Sequence, residues 1–169
     1  MMQYVEPDQS YMTSVAYRAA VIQHAVSLNP QFYLTLSTNR NYPTSLISGQ
    51  KLIDFLHAQL DRKLLGHNWH SQDHSGRTQS LSIPEGKPSY REGFLNQLHY
   101  HCFTAPARNS LRIVPRWEME EMVSAMWAKA SPGGNVDVQS IYDPWGAGEY
   151  STKYLSGDHS IGMHGYCIN

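Results

Sequence analysis

Two groups of residues in this chain have the types and spacing to do chemistry. The first is Leu-His-Tyr-His-Cys-Phe at 98–103. In a strand, successive side chains point to opposite faces, so His99 and His101 share one face while Leu98, Tyr100 and Cys102 share the other. Two imidazoles side by side are half of a metal site. A divalent ion needs at least one further ligand, and carboxylate oxygen is a common complement to imidazole. Glu85 lies at the end of the preceding predicted strand, where it can face the pair across a hairpin. Glu92, in the connection, is its rival, and His67, His70 or His74 could supply a third nitrogen. The plain alternative is a pair of hydrogen-bonded or surface histidines.

The second group is Ala-Gly-Glu-Tyr-Ser-Thr-Lys-Tyr at 147–154. On a helix, Tyr150, Lys153 and Tyr154 occupy one face. A free phenol ionises at about pH 10, so Tyr150 as a nucleophile needs a neighbouring cation or an electrophile polarised by a metal, and Lys153 is placed to provide charge. The competing reading is structural, because amphipathic tyrosines commonly seat the ring in the core with the hydroxyl at the rim.

These groups must be carried by regular elements, and hydrophobic periodicity supplies them. Residues 10–28 put Val15, Ala19, Ile22 and Val26 at helical spacing, with Asn29-Pro30 as a stop. Phe-Tyr-Leu-Thr-Leu-Ser-Thr at 32–38 alternates like a strand covered on one face. A strong amphipathic helix is predicted over 48–65, with Leu52, Phe55, Leu56, Leu60 and Leu64 on its stripe. Beyond a polar, turn-rich stretch at 66–77, a strand is predicted to end at Glu85 and to pair with the strand carrying His99 and His101. Residues 110–115 form a short apolar segment that could extend the sheet. A helix follows over 116–130, with Trp117, Met122, Ala125 and Met126 inward and Pro132-Gly133-Gly134 ending it. A last strand over 135–143 and a short helix over 146–157 complete the order. The pattern is α+β, a central antiparallel sheet flanked by helices.

Composition bounds what such a chain can be. Its 169 residues fit one domain, with residues 1–30 read as an N-terminal helical extension. No apolar run approaches the roughly 18 to 20 residues that span a bilayer, so no membrane role is expected. The N-terminus lacks a basic segment followed by an apolar stretch, which points to an intracellular, cytoplasmic address. Cys102 and Cys167 are the only cysteines, too few for a disulfide scaffold and without zinc-site spacing. The formal net charge is −1, so nothing in the global balance announces nucleic acid. No Walker motif is present, which argues against a fused helicase.

Taken together, three stretches in this order resemble the HUH endonucleases, in particular the rolling-circle replication initiators of small phages and plasmids. They are Phe-Tyr-Leu-Thr-Leu-Ser at 32–37, His-Tyr-His at 99–101 and Tyr-Ser-Thr-Lys-Tyr at 150–154. The resemblance implies the RRM/ferredoxin-like fold of that nuclease family. It implies that His99 and His101, with a nearby acidic or polar side chain, hold a divalent ion, Mg²⁺ or Mn²⁺. It implies that Tyr150 attacks a phosphate of single-stranded DNA at an origin or hairpin and stays joined to the 5′ phosphate. Lys153 would position the phosphate or assist the phenol's proton. Tyr154 is either a second nucleophile, as in members with two tyrosines four apart, or a ring packed under the helix. Host helicase and polymerase would be partners, and the gene would belong to a phage, plasmid or other mobile element in a bacterial cell. Arg108, Arg112 and Arg116, together with Arg40, Lys87 and Arg91, are candidates for phosphate contact. Alternatives are a tyrosine transposase or mobilisation relaxase with the same chemistry, a metal-dependent hydrolase acting through water, or a non-catalytic DNA-binding domain.

Overall fold

A computed structural model of the chain describes residues 14–39, 41–110, 112–153 and 167–168. The elements are α1 (Ser14–Ser27), β1 (Phe32–Ser37), β2 (Thr44–Ser45), α2 (Leu46–Leu65), β3 (Gln79–Pro88), β4 (Phe94–Ala105), α3 (Arg116–Ala130), β5 (Val136–Ser140), α4 (Pro144–Ser151) and β6 (Cys167–Ile168). Five strands form an antiparallel sheet in the order β5-β1-β4-β3-β6, and β2 pairs with the start of β4. The α+β class expected from the periodicity is the one observed. No helix among the described residues is long and apolar enough to cross a membrane.

Alternation along β1 and β4 divides the sheet into two faces. Phe32, Leu34 and Leu36 on β1 and Leu98, Tyr100 and Cys102 on β4 point one way. They pack against Ile53, Leu56 and Leu60 of α2 and Met119, Met122, Val123 and Trp127 of α3. Gly49 sits where any Cβ would run into the Tyr100 ring and hydroxyl, so its missing side chain lets α2 lie directly on the strand. On the opposite face, Leu81, Ile83 and Phe103 pack with Val21 and Ala25 of α1 and Leu28 just past it, and Tyr33, Ile141 and Ala147 close over them. Helix α1 is thereby part of the body of the fold, and α4 lies beside it with Gly148 against Ile22.

Several element boundaries depart from the periodicity. On α3 the buried stripe runs Met119, Met122, Val123 and Trp127 with Met126 half-buried beside it, which turns Trp117 outward at 64% exposure and leaves Ala125 in solvent. Ala19 on α1 is likewise exposed, and the buried positions are Val21, Ile22 and Ala25. Phe55 lies at the edge of the α2 stripe, 40% exposed, while His57 is buried. Residues 110 and 112–115 are not in a strand. Strand β3 runs past Pro84 to Pro88, with Pro84 opposite Tyr100 and Pro88 opposite Leu95 of β4. Helix α4 begins earlier and ends earlier than 146–157: Asp143 caps it by accepting from the Gly146 N–H, Pro144 takes its first turn, and it closes at Ser151.

Candidate functional site

The β3–β4 hairpin sets the site. Its register places Ile83 opposite His101 and Glu85 opposite His99, so the carboxylate and both imidazoles emerge on the α1/α4 face of the sheet. One carboxylate oxygen, Glu85 Oε2, lies 3.1 Å from His101 Nε2 and 3.3 Å from His99 Nε2. The three ligand atoms lie within 4.8 Å of one another. Among the described residues this is the group of three that could hold a metal ion. The rivals fall elsewhere: Glu92 is exposed on the hairpin turn, and His67, His70 and His74 lie in the exposed connection after α2.

The donor set fits a divalent cation. Neighbouring ligands around a six-coordinate ion with bonds of about 2.1 Å are about 3 Å apart, close to the two Glu85 separations. Burial outweighs the pull of Glu85 and holds the His101 pKa below the ordinary imidazole value, with His99 and Lys153 acting in the same direction as burial. A neutral ring offers a lone pair, which is what a metal requires. His99 is oriented through its other nitrogen, Nδ1, which donates to the Gln97 carbonyl at 3.1 Å and so directs Nε2 toward Glu85. The buried Nδ1 of His101 has no such partner among the described residues.

That carbonyl is aimed by an irregularity in the strand. Between the pairs Glu85–His99 and Lys87–Asn96, β3 spends one residue and β4 spends two, which is a β-bulge. Gln97 takes up the difference with φ of 54°, a left-handed conformation that a non-glycine residue seldom adopts. Thr38, just past β1, secures the bulge from the other side, since its N–H and its hydroxyl both donate to the Leu98 carbonyl at 2.8 and 3.0 Å.

Helix α4 delivers the phenol to this face. The Tyr150 ring stands edge-on to His101, with 6.1 Å between centroids and 81° between planes. Tyr150 is 58% exposed. Lys153 follows the helix end rather than riding on it, yet its ammonium nitrogen sits 4.0 Å from the Tyr150 ring centre. The structure thus brings Glu85, His99, His101, Tyr150 and Lys153 together from two distant stretches of chain. Tyr154 lies outside the described residues, as does Arg40.

A second tyrosine, overlooked at the level of sequence, touches the site. Tyr33 stacks on His101 at 5.6 Å and 15°, and its hydroxyl is 2.6 Å from Ser151 Oγ. Ser151 already gives its one proton to the Ala147 carbonyl at 2.8 Å, so the Tyr33 hydroxyl is the donor. Burial, foremost, pushes the Tyr33 pKa far up. Tyr33 is therefore a neutral phenol committed to a hydrogen bond, whereas Tyr150 is open to solvent.

Two of the arginines expected to contact phosphate, Arg112 and Arg116, are engaged elsewhere. Arg112 pairs with Glu118 at 2.6 Å, and Arg116 pairs with Glu120 at 3.2 Å while donating to the Val138 carbonyl at 3.1 Å. Both cations are thus engaged around α3, which covers the other face of the sheet. Compared with protein-family models, curated proteins and solved structures, the chain matches none of them.

Proposed function

We propose that the protein is a divalent-metal-dependent endonuclease that nicks single-stranded DNA through a tyrosine nucleophile, in the manner of rolling-circle replication initiators. The observation that carries this reading is the Tyr150 ring 6.1 Å from that of His101, on the face where Glu85 gathers both imidazoles. A metal-binding triad alone is equally compatible with hydrolysis by water. A solvent-open phenol flanked by a cation at the same place favours covalent chemistry.

Glu85, His99 and His101 would hold the ion, Mg²⁺ or Mn²⁺, which when bound acts as a Lewis acid on the scissile phosphate and steadies the departing oxygen. Tyr150 Oη attacks phosphorus and gives its proton to solvent. The bond from phosphorus to the 3′ oxygen breaks, its electron pair leaves with that oxygen, and the oxygen takes up a proton. The products are a 5′-phosphotyrosine and a free 3′ hydroxyl. Attack by a 3′ hydroxyl on the phosphotyrosine runs the same exchange backwards, so cutting and rejoining need no external energy source. Lys153 brings positive charge to the phosphate beside Tyr150, and the exposed Lys87 and Arg91 of the β3–β4 hairpin are available to the flanking backbone. Replication initiation, transposition and plasmid mobilisation all use this exchange. The initiator reading is preferred on the order of the three sequence stretches.

The test is incubation of the protein with Mn²⁺ and a randomised single-stranded oligonucleotide pool, followed by denaturing electrophoresis. A denaturant-resistant protein–DNA adduct is expected with the native chain and not with Tyr150→Phe. Cleavage without adduct would replace the reading by a water-using hydrolase, and neither cleavage nor adduct would leave a binding domain.

A further inference from the structure

We propose that Tyr33 is a positioning residue that fixes the distance between the nucleophile helix and the metal centre; the proposal rests on the reading of Tyr150 as nucleophile. Three contacts converge on this side chain. Its ring lies flat against His101, with planes 15° apart. Its edge meets Phe103 at 5.3 Å, which holds the ring in place on the sheet. Its hydroxyl donates to Ser151 Oγ at 2.6 Å, and Ser151 is the residue next to Tyr150.

The consequence is geometric. Strand β1 pairs with β4, so the Cα of Tyr33 is fixed relative to His101 by the sheet's own hydrogen bonds. A stacked ring of fixed length then spans from the ligand to Ser151, the last residue of α4. Other hydrogen bonds to the end of α4 come from α1: Arg18 donates to the Glu149 carbonyl at 2.9 Å and to Thr152 Oγ1 at 3.0 Å. These hold the helix to its neighbour, but the Tyr33–Ser151 bond ties the helix directly to the strands that carry the ligands. In-line attack requires the phenolic oxygen at near-contact distance from phosphorus, and a misplacement of about 1 Å can cost on the order of 100-fold in rate.

Tyr33→Phe keeps the stack on His101 and deletes only the tie. With an oligonucleotide selected from the pool for adduct formation, the expected result is a 10- to 100-fold fall in the single-turnover rate of adduct formation at saturating DNA. Mn²⁺ affinity and DNA affinity should stay within twofold of the native values. Ser151→Ala should produce the same fall, and the double variant no further fall, because both remove one bond. An unchanged rate in both single variants would overturn the proposal, as would a fall in rate matched by an equal loss of Mn²⁺ affinity. Failure of the native chain to form an adduct would overturn the nucleophile reading itself, and this proposal with it.

Discussion

Glu85 faces both imidazoles with a single oxygen, and the three side chains are useful to an ion only as a set. Removing the carboxylate leaves two nitrogens, so Glu85→Ala should weaken Mn²⁺ binding by about 10- to 100-fold in calorimetric titration. Glu92→Ala should leave it unchanged, since Glu92 is exposed on the hairpin turn; equal losses from the two variants would contradict the assignment. This part of the site was legible from sequence because strand alternation puts His99 and His101 on one face, and hairpin pairing puts Glu85 opposite them. Tyr33 was not legible. Within Phe-Tyr-Leu-Thr-Leu-Ser it is only the polar partner in an alternating run, and its stacking on His101 depends on a register with β4 that no local pattern specifies. Nor does any local pattern mark Glu118 and Glu120 as the partners that claim Arg112 and Arg116.

The element that matters most to the ligands is the bulge in β4. A left-handed glutamine inside a strand is strained, and the strain turns its carbonyl to His99. A β-branched residue tolerates that conformation poorly, while glycine adopts it freely. Gln97→Val should therefore flatten the bulge and lower Mn²⁺ affinity about tenfold or more, whereas Gln97→Gly should keep native affinity. Identical titrations for the two would show that the carbonyl does not orient the ring. Nothing in the sequence marked this feature, because only a glycine would have advertised a positive φ. The start of α4 did carry a signal in Asp143-Pro144, a cap followed by a first-turn proline, which the reading of 135–143 as one strand absorbed. The phase of α3 was misjudged for a related reason: Trp117 fits a helical stripe by spacing, but it falls in the first turn, before the helix reaches the sheet, and points to solvent.

At the scale of the molecule, the sheet keeps an apolar layer against α2 and α3 and a mixed layer against α1 and α4. The first layer hides an irregularity, His57, buried on α2 with neither ring nitrogen hydrogen-bonded to a described residue. Burial pushes its pKa down to about 4. The unfolded chain, with an imidazole near its ordinary value of about 6.5, then binds more protons than the folded one between those limits. Stability from this residue is complete above about pH 6.5 and is lost as pH falls toward 4, a change of about 3 kcal/mol. Urea unfolding at pH 7 and pH 4.5 should show a smaller drop for His57→Leu than for the native chain. Equal drops would mean that the ring finds a proton acceptor on folding. Removing two unpartnered buried nitrogens should also leave the variant no less stable at pH 7.

The two halves of the site are anchored with unequal depth. Strand β4 is bonded on both sides, by β1 and β3, so the imidazoles ride on backbone that opens only when the whole sheet comes apart. The phenol rides on a helix of eight residues at the margin, held by Arg18, Ile22 and Tyr33. On the proposed chemistry, a strand end captured by that helix would be tethered to the part of the protein that can yield first. Withdrawal of the tethered end, leaving room for an incoming one, would need only a local excursion and not the loss of the cation's cradle.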